Sequence, residues 1–157
     1  MVKSLKIVVG IIMGLFMAST SLLHAQVSEI YVADPRTGVA IFGYDPVAYF
    51  DKQEAVLGLH AYEAEWRGAY WKFANAANRE RFIEAPETYI PLFNGYGAYA
   101  MANGQLAEGN PIIWVIYANR LILFHSAEAR TLWLDNPPQF IEAGLLNWQK
   151  LKLTLSR

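Results

Sequence analysis

The stretch that decides the fold reads YEAEWRGAYWKF and spans residues 62–73. Its first five residues alternate aromatic or small side chains with glutamates, which is the period of a strand with one buried face. Arg67-Gly68 follows the strand, and Gly68 can supply the positive φ that a tight turn needs. The sequence therefore predicts a β-hairpin with strands Ala61–Trp66 and Ala69–Phe73.

A helix is predicted directly after this hairpin. Asn75 stands where a helix N-cap would, ahead of Ala76–Glu84. Pro86 ends that helix and opens a further turn over Pro86–Ile90. We expect three residues of the helix to pack inward: Ala76, Phe82 and Ile83.

Two more elements lie on either side of this unit. Upstream, Val39–Phe42 is a short apolar run that predicts a strand, and Asp45 can cap a helical turn with Pro46 at its first position. Downstream, Asn94–Ala102 predicts a helix that closes at Gly104.

A second hairpin is predicted from Ile112–Tyr117 and Leu121–Phe124, joined by residues 118–120. Ser126 would cap the helix that follows, and a last helix is expected over Gln139–Leu151. Four residues of the last helix are expected to face the core: Phe140, Ile141, Leu145 and Trp148. Two hairpins with short helices packed against them make an α+β fold.

Composition indicates one folded domain. The chain has 157 residues, 54% hydrophobic and 17% charged, which excludes a disordered protein. Five tryptophans and nine tyrosines make it rich in aromatic residues, and no low-complexity or repeated segment is apparent. With no cysteine, the chain forms no disulfide, so burial must supply its stability.

The N-terminus reads as an export signal over residues 1–25. Lys3 and Lys6 precede an apolar run, and Ala25 is a plausible cleavage point, which predicts a periplasmic or secreted protein. The rival interpretation is an uncleaved anchor over Ile7–Leu23, the one case in which we expect a membrane partner. Without the two lysines, 11 basic residues face 14 acidic ones, scattered along the chain. This balance offers no basic face for nucleic acid.

Several of these stretches, in this order, resemble the YHS domain, a small module thought to bind metals such as copper. The core match covers residues 40–100 and rests on GYDPVAYF (43–50), the hairpin, PETY (86–89) and NGYGAYA (94–100). Residues 101–151 resemble the extension of exported members, through Trp114, residues 123–126, Trp133, Asp135, Ala143, Asn147 and Trp148. The resemblance implies one YHS-type domain over residues 26–157.

The chain departs from the family at the metal-binding positions. Where metal-binding or exported members carry cysteines, this sequence has Ala48, Ala74, Asn78 and Gly97. Thiolates supply most of the affinity of such sites, and an amide oxygen is a poor ligand for copper or zinc. We therefore expect a non-enzymatic binding module without a cofactor, which contacts a protein or a small ligand. Five residues are candidates to line a shallow ligand pocket: Tyr44, Asp45, Tyr96, Gly97 and Tyr99.

A metal carrier is the second hypothesis. His60, Met101 and His125, with carboxylates, could hold copper or zinc. An enzyme is the third and least favoured hypothesis. His125 and Ser126 are adjacent, but neighbours in an extended strand point to opposite faces and cannot form a hydrolase pair. Neither Glu63 with Glu65 nor Gly95-Tyr96-Gly97 makes a catalytic or phosphate-binding pattern.

Overall fold

The structure, a computed structural model, describes residues 31–155, so the predicted signal segment lies outside the described residues. The predicted α+β class is confirmed. The helices are α1 (Ala48–Asp51), α2 (Ala76–Glu84), α3 (Pro86–Tyr89), α4 (Ala98–Ala102), α5 (Ala127–Leu134) and α6 (Pro137–Leu155). The strands are β1 (Leu59–Trp66), β2 (Ala69–Phe73), β3 (Asn110–Tyr117) and β4 (Arg120–Phe124), paired as two antiparallel hairpins.

Both predicted hairpins are confirmed, and each closes on a two-residue turn with positive φ. Arg67 and Gly68 have φ of 48° and 77°, and Ala118 and Asn119 have 48° and 57°. Such turns match the right-handed twist of the flanking strands. The second turn is therefore one residue shorter than predicted, because Arg120 pairs with Tyr117 as part of β4.

Two of the three predicted helix caps, Asn75 and Ser126, are confirmed, whereas the helix after Asp45 begins at Ala48 and not at Pro46. The Asn75 side chain accepts the N–H of Asn78, and the Ser126 hydroxyl accepts the N–H of Ala129, at 2.9 and 3.1 Å. Each satisfies one of the N–H groups that have no partner in the first turn of a helix.

The predicted strand at Val39–Phe42 is wrong. Val39 and Ala40 form only isolated bridges, and Ile41–Gly43 is a 3₁₀ turn in which Phe42 has a φ of 54°. The residues after this turn pair with residues 56–58 instead of extending a strand: the Gly43 carbonyl accepts the Gly58 N–H, and the Asp45 N–H donates to the Val56 carbonyl.

The helix predicted from Asn94 is shorter. Leu92–Gly95 forms a second 3₁₀ turn with positive φ at Phe93 and Asn94, and α4 starts only at Ala98.

Two predictions of inward-facing residues are also corrected. On α2 the buried residues are Asn78 and Phe82, whereas Ala76 and Ile83 are exposed. On α6, Phe140, Ile141 and Trp148 pack against the core, but Leu145 is exposed.

The structure also shows an internal repeat that is not apparent in the sequence. An offset of 51 residues, from Leu59 to Asn110, carries β1 onto β3, β2 onto β4, and the starts of α2 and α3 onto those of α5 and α6. Both hairpins have a bulge after their first pair. The Gly109 N–H donates to the Gly95 carbonyl as the Gly58 N–H does to Gly43, both at 2.9 Å. The domain is therefore two similar hairpin–helix units.

The two units stack as layers, and this order explains why the hairpins differ in composition. A first core contains Trp71, Phe73 and Phe82, and a second contains Met101, Phe124 and Trp133. The β3–β4 hairpin lies between them, so Leu121 and Leu123 pack in the first core while Ile122 and Phe124 pack in the second. The outer face of β1–β2 meets solvent and carries glutamates and a lysine.

Across residues 31–155, none of the helices is both long enough and apolar enough to cross a bilayer.

Candidate functional site

A buried carboxylate lies at the centre of the first unit. Asp45 has no exposed surface, and its Oδ1 accepts the N–H groups of Val47 and Ala48 at 2.8 and 3.3 Å. Its Oδ2 accepts the Ala74 N–H at 2.8 Å and the Asn78 Nδ2 at 2.6 Å. The carboxylate therefore joins the start of α1, the end of β2 and α2, and we call these five residues the Asp45 network.

The network gathers three of the four positions where the resemblance implies cysteines. Ala48, Ala74 and Asn78 all hydrogen-bond to the one carboxylate. Gly97 lies in the second unit, where its N–H donates to the Ala107 carbonyl. An added Cβ there would lie 3.0 Å from the backbone nitrogen of His125.

Gly97 is the counterpart of Asp45 in the repeat. The Asp45 N–H donates to Val56, and the Gly97 N–H donates to Ala107, both at 2.8 Å. Glycine has no carboxylate, so a network of this kind cannot form in the second unit. The two halves share a backbone arrangement and differ in this chemistry.

The tyrosines of the predicted ligand pocket are divided between the two cores. Tyr44 packs against the first core. Tyr96 packs on Trp148 and Tyr99 on Phe140 in the second core, with ring centroids 5.9 and 5.3 Å apart. A ligand pocket shared by Tyr44, Asp45, Tyr96, Gly97 and Tyr99 stays a prediction, and the structure places its members around equivalent points of the two units.

Burial affects the ionisation of two tyrosines nearby. Burial, with the charges of Tyr44 and Asp45 adding to it, raises the pKa of Tyr49 far above its ordinary value. The Tyr49 hydroxyl donates to the Pro111 carbonyl at 2.9 Å and so ties α1 to β3. Burial, followed by the nearby Glu108 carboxylate, also raises the pKa of Tyr96. Both hydroxyls stay neutral at physiological pH.

The residues of the metal hypothesis occupy different parts of the molecule. His60 is exposed at the start of β1 and contacts Glu63 at 2.8 Å, whereas Met101 is fully buried in the second core. His125 is exposed just after β4. Between Tyr31 and Leu155, no three His, Cys, Asp or Glu side chains gather in a way that could hold a metal ion.

Two shallow cavities meet at Phe42. One, of about 350 Å³, is lined by Phe42, Glu108, Gly109, Asn110, Pro111 and His125. The other, of about 220 Å³, is lined by Phe42 with Asp34, Thr37, Val39, Gly43, Leu57, Gly58 and Lys72. Phe42 is 38% exposed, and its backbone has a positive φ, which is a strained conformation for a bulky residue.

Sequence reasoning missed Phe42, although the repeat contained a signal. IFGY at residues 41–44 and LFNGY at residues 92–96 occupy matching positions, and Phe42 and Phe93 share nearly the same φ, 54° and 59°. Phe93 is buried beneath α6, against Gly144. Phe42 is therefore the exposed counterpart of a ring that the second unit uses for packing.

A polar cluster on the outer face of the first hairpin is centred on Glu63. It contacts His60 at 2.8 Å and Lys72 at 3.3 Å, and the hydrogen bond from His60 is the main reason that the pKa of Glu63 lies below its ordinary value. The His60 side chain is 89% exposed. The Ser126 hydroxyl caps α5, so it acts as a structural group.

Comparison with protein-family models, curated proteins and solved structures gives no match to this chain.

Proposed function

We propose that this chain is an exported, non-enzymatic binding module of the YHS type, in which a buried carboxylate does the structural work of a metal. The observation that carries the proposal is the Asp45 network. Three of the positions expected to carry cysteine ligands surround Asp45 instead, and each donates a hydrogen bond to it. A metal would link the same segments of α1, β2 and α2.

The chemistry of the network supports a structural role. A buried charge is costly unless hydrogen bonds compensate it, and this carboxylate accepts four of them. Hydrogen bonds to a charged group contribute about 1.5–3 kcal/mol each, more than neutral ones. The Asp45 network thus gives the first unit a cross-link that needs no metal.

The binding surface of the module is the region around Phe42. The ring is exposed between two cavities, and polar or charged groups lie at both ends, Lys72 and Asp34 in one cavity and His125 and Glu108 in the other. A small planar ligand could stack on the ring and hydrogen-bond at its edge.

This binding is tested by titrating small aromatic ligands and haem while recording tryptophan fluorescence. We expect a member of the panel to change the fluorescence of the wild type and of Ile83→Ala, another exposed apolar position, on α2, but not of Phe42→Ala. No response across the panel, or an unchanged response in Phe42→Ala, would refute the proposed surface.

A metal carrier is the second candidate, and His125 favours it. The Glu108 carbonyl can only accept a hydrogen bond, so the His125 Nδ1 at 3.1 Å carries the proton. Its Nε2 then has a lone pair available for a metal when the ring is neutral. The carrier predicts stoichiometric copper or zinc uptake that is lost in His125→Ala, whereas the module predicts no uptake and a melting temperature unchanged by a chelator.

A further inference from the structure

Helix α6 leaves three leucines on its outer surface. Leu145, Leu146 and Leu153 are 44%, 57% and 61% exposed, although the helix already buries Gly144 and packs Trp148 and Leu151 in the second core. An ordinary surface helix has one apolar stripe and a polar opposite face. α6 is therefore apolar on a second face, which we call the leucine face: Leu145, Leu146 and Leu153.

The charges beside the leucine face have one sign over the last two turns. Lys150 comes four residues after Leu146 and three before Leu153, so it lies beside both on the helix surface, and Lys152 follows. The only acidic residue on α6 is Glu142, which lies one turn before Leu145 and Leu146 on the same face of the helix. Leucines flanked by lysines are typical of helices that lie in the plane of a membrane surface, where the lysine stems bury and their ammonium groups reach the headgroups.

The first described residues lie near the core-facing side of α6. The Val32 N–H donates to the Asn94 carbonyl, and the neighbouring Phe93 ring lies directly under Gly144 of α6. In the sequence, seven residues separate the apolar run that ends at Leu23 from Tyr31, a stretch that extends to at most about 24 Å. If the run stays in a membrane, α6 is held within reach of that surface.

We propose that the leucine face of α6 docks on an anionic bilayer surface. The leucines insert among the headgroups, and Lys150 and Lys152 contact lipid phosphates. This role is separate from ligand binding at Phe42 and does not depend on it. A second copy of the chain is the alternative occupant, and the experiment below distinguishes the two.

The absence of cysteine makes a site-specific probe possible. The full chain is made as Leu146→Cys and labelled with a fluorophore that shifts to the blue on leaving water. The control is Glu65→Cys, exposed on the outer face of the first hairpin, in the same full chain. Because both chains carry the N-terminal segment, anchoring by that segment alone affects both labels alike. Circular dichroism checks that each labelled chain is folded, and Leu153→Cys supplies a second labelled position.

Vesicles of neutral phosphatidylcholine are compared with vesicles that also contain phosphatidylglycerol. We expect a blue shift at position 146 with the anionic vesicles, little at position 65, and a loss of the shift in high salt. Replacing Lys150 and Lys152 by glutamine should weaken the vesicle binding reported by the label at position 146 about five-fold per lysine. The proposal fails if position 146 does not shift, if position 65 shifts equally, or if the shift appears without vesicles and grows with protein concentration, which indicates self-association.

Discussion

Replacing Asp45 by alanine tests the network from which the proposed function is argued. The substitution removes the acceptor of four donors and leaves the part-buried Ala74 N–H and the buried Asn78 amide without this partner. A buried donor without an acceptor costs about 1–3 kcal/mol, and loss of the acceptor for the Val47 and Ala48 N–H groups at the start of α1 adds about 1 kcal/mol, as the loss of a helix cap does. We expect Asp45→Ala to lower the free energy of unfolding by about 4 kcal/mol, a large part of the 5–15 kcal/mol typical of a domain.

Asparagine at the same position should cost less. Its Oδ1 can still accept the N–H groups of Val47 and Ala48, and the Asn78 amide can turn over to present its oxygen to the new NH₂ group. Only the Ala74 N–H then loses its acceptor, so we expect a cost of about 2 kcal/mol. Removing the amide in Asp45→Asn/Asn78→Ala takes this rescue away, and the two substitutions should therefore not be additive.

Urea unfolding followed by tryptophan fluorescence measures these costs directly. The control is Asp34→Ala, because Asp34 accepts a hydrogen bond from the Arg36 N–H at an exposed turn, where loss of the bond should cost well under 1 kcal/mol. If Asp45→Ala costs no more than Asp34→Ala, the network does not hold the first unit together and the reasoning is refuted.

Three further predictions concern other parts of the fold. Gly144→Ala should destabilise by about 1 kcal/mol despite its gain in helix propensity, because the added Cβ would lie 2.6 Å from Phe93 Cζ; a stabilised variant in urea unfolding would contradict this. The pKa of Glu63 should lie below its ordinary value in a carbon-detected NMR titration and rise in His60→Ala, so the stability it provides is present above its unfolded pKa and lost as the pH falls through the folded one. Trp71→Ala should cost about 3–5 kcal/mol, since the ring is fully buried. Trp71→Phe should cost much less, because the buried Nε1 of Trp71 has no acceptor and its removal loses no hydrogen bond. Equal costs for the two variants would contradict the placement of the Trp71 ring in the core.

Local signals made the hairpins and caps predictable from the sequence. Arg67-Gly68 sets a turn through its own backbone preferences, and Asn75 and Ser126 cap helices through bonds to residues three positions on. These features depend on neighbours in sequence, so a single sequence contains them.

Packing between distant segments decided what the sequence could not. The burial of Phe93, and with it the 3₁₀ turn before α4, depends on Gly144 approaching from a helix about fifty residues away. Leu145 was expected inside because it has the spacing of Ile141 and Trp148, but the approach at Gly144 rotates α6 so that Leu145 faces outward.

The candidate site was predictable in part. The resemblance pointed to Ala48, Ala74 and Asn78 together, and the structure brings them to one carboxylate. Tyr44 and Tyr96 pack against different cores at equivalent points of the two units, a division that follows from the stacking order of the hairpins and not from any local pattern. The ligand pocket that they would share with Asp45, Gly97 and Tyr99 stays a prediction.

The metal content of the protein, purified from its native cells without chelators, tests the central claim most directly. Mass spectrometry of the elements should find copper and zinc far below one equivalent in a fully folded sample. A tightly held copper or zinc ion at one equivalent, retained through dialysis against EDTA, would contradict the account, because the carboxylate of Asp45 would then not be standing in for a metal.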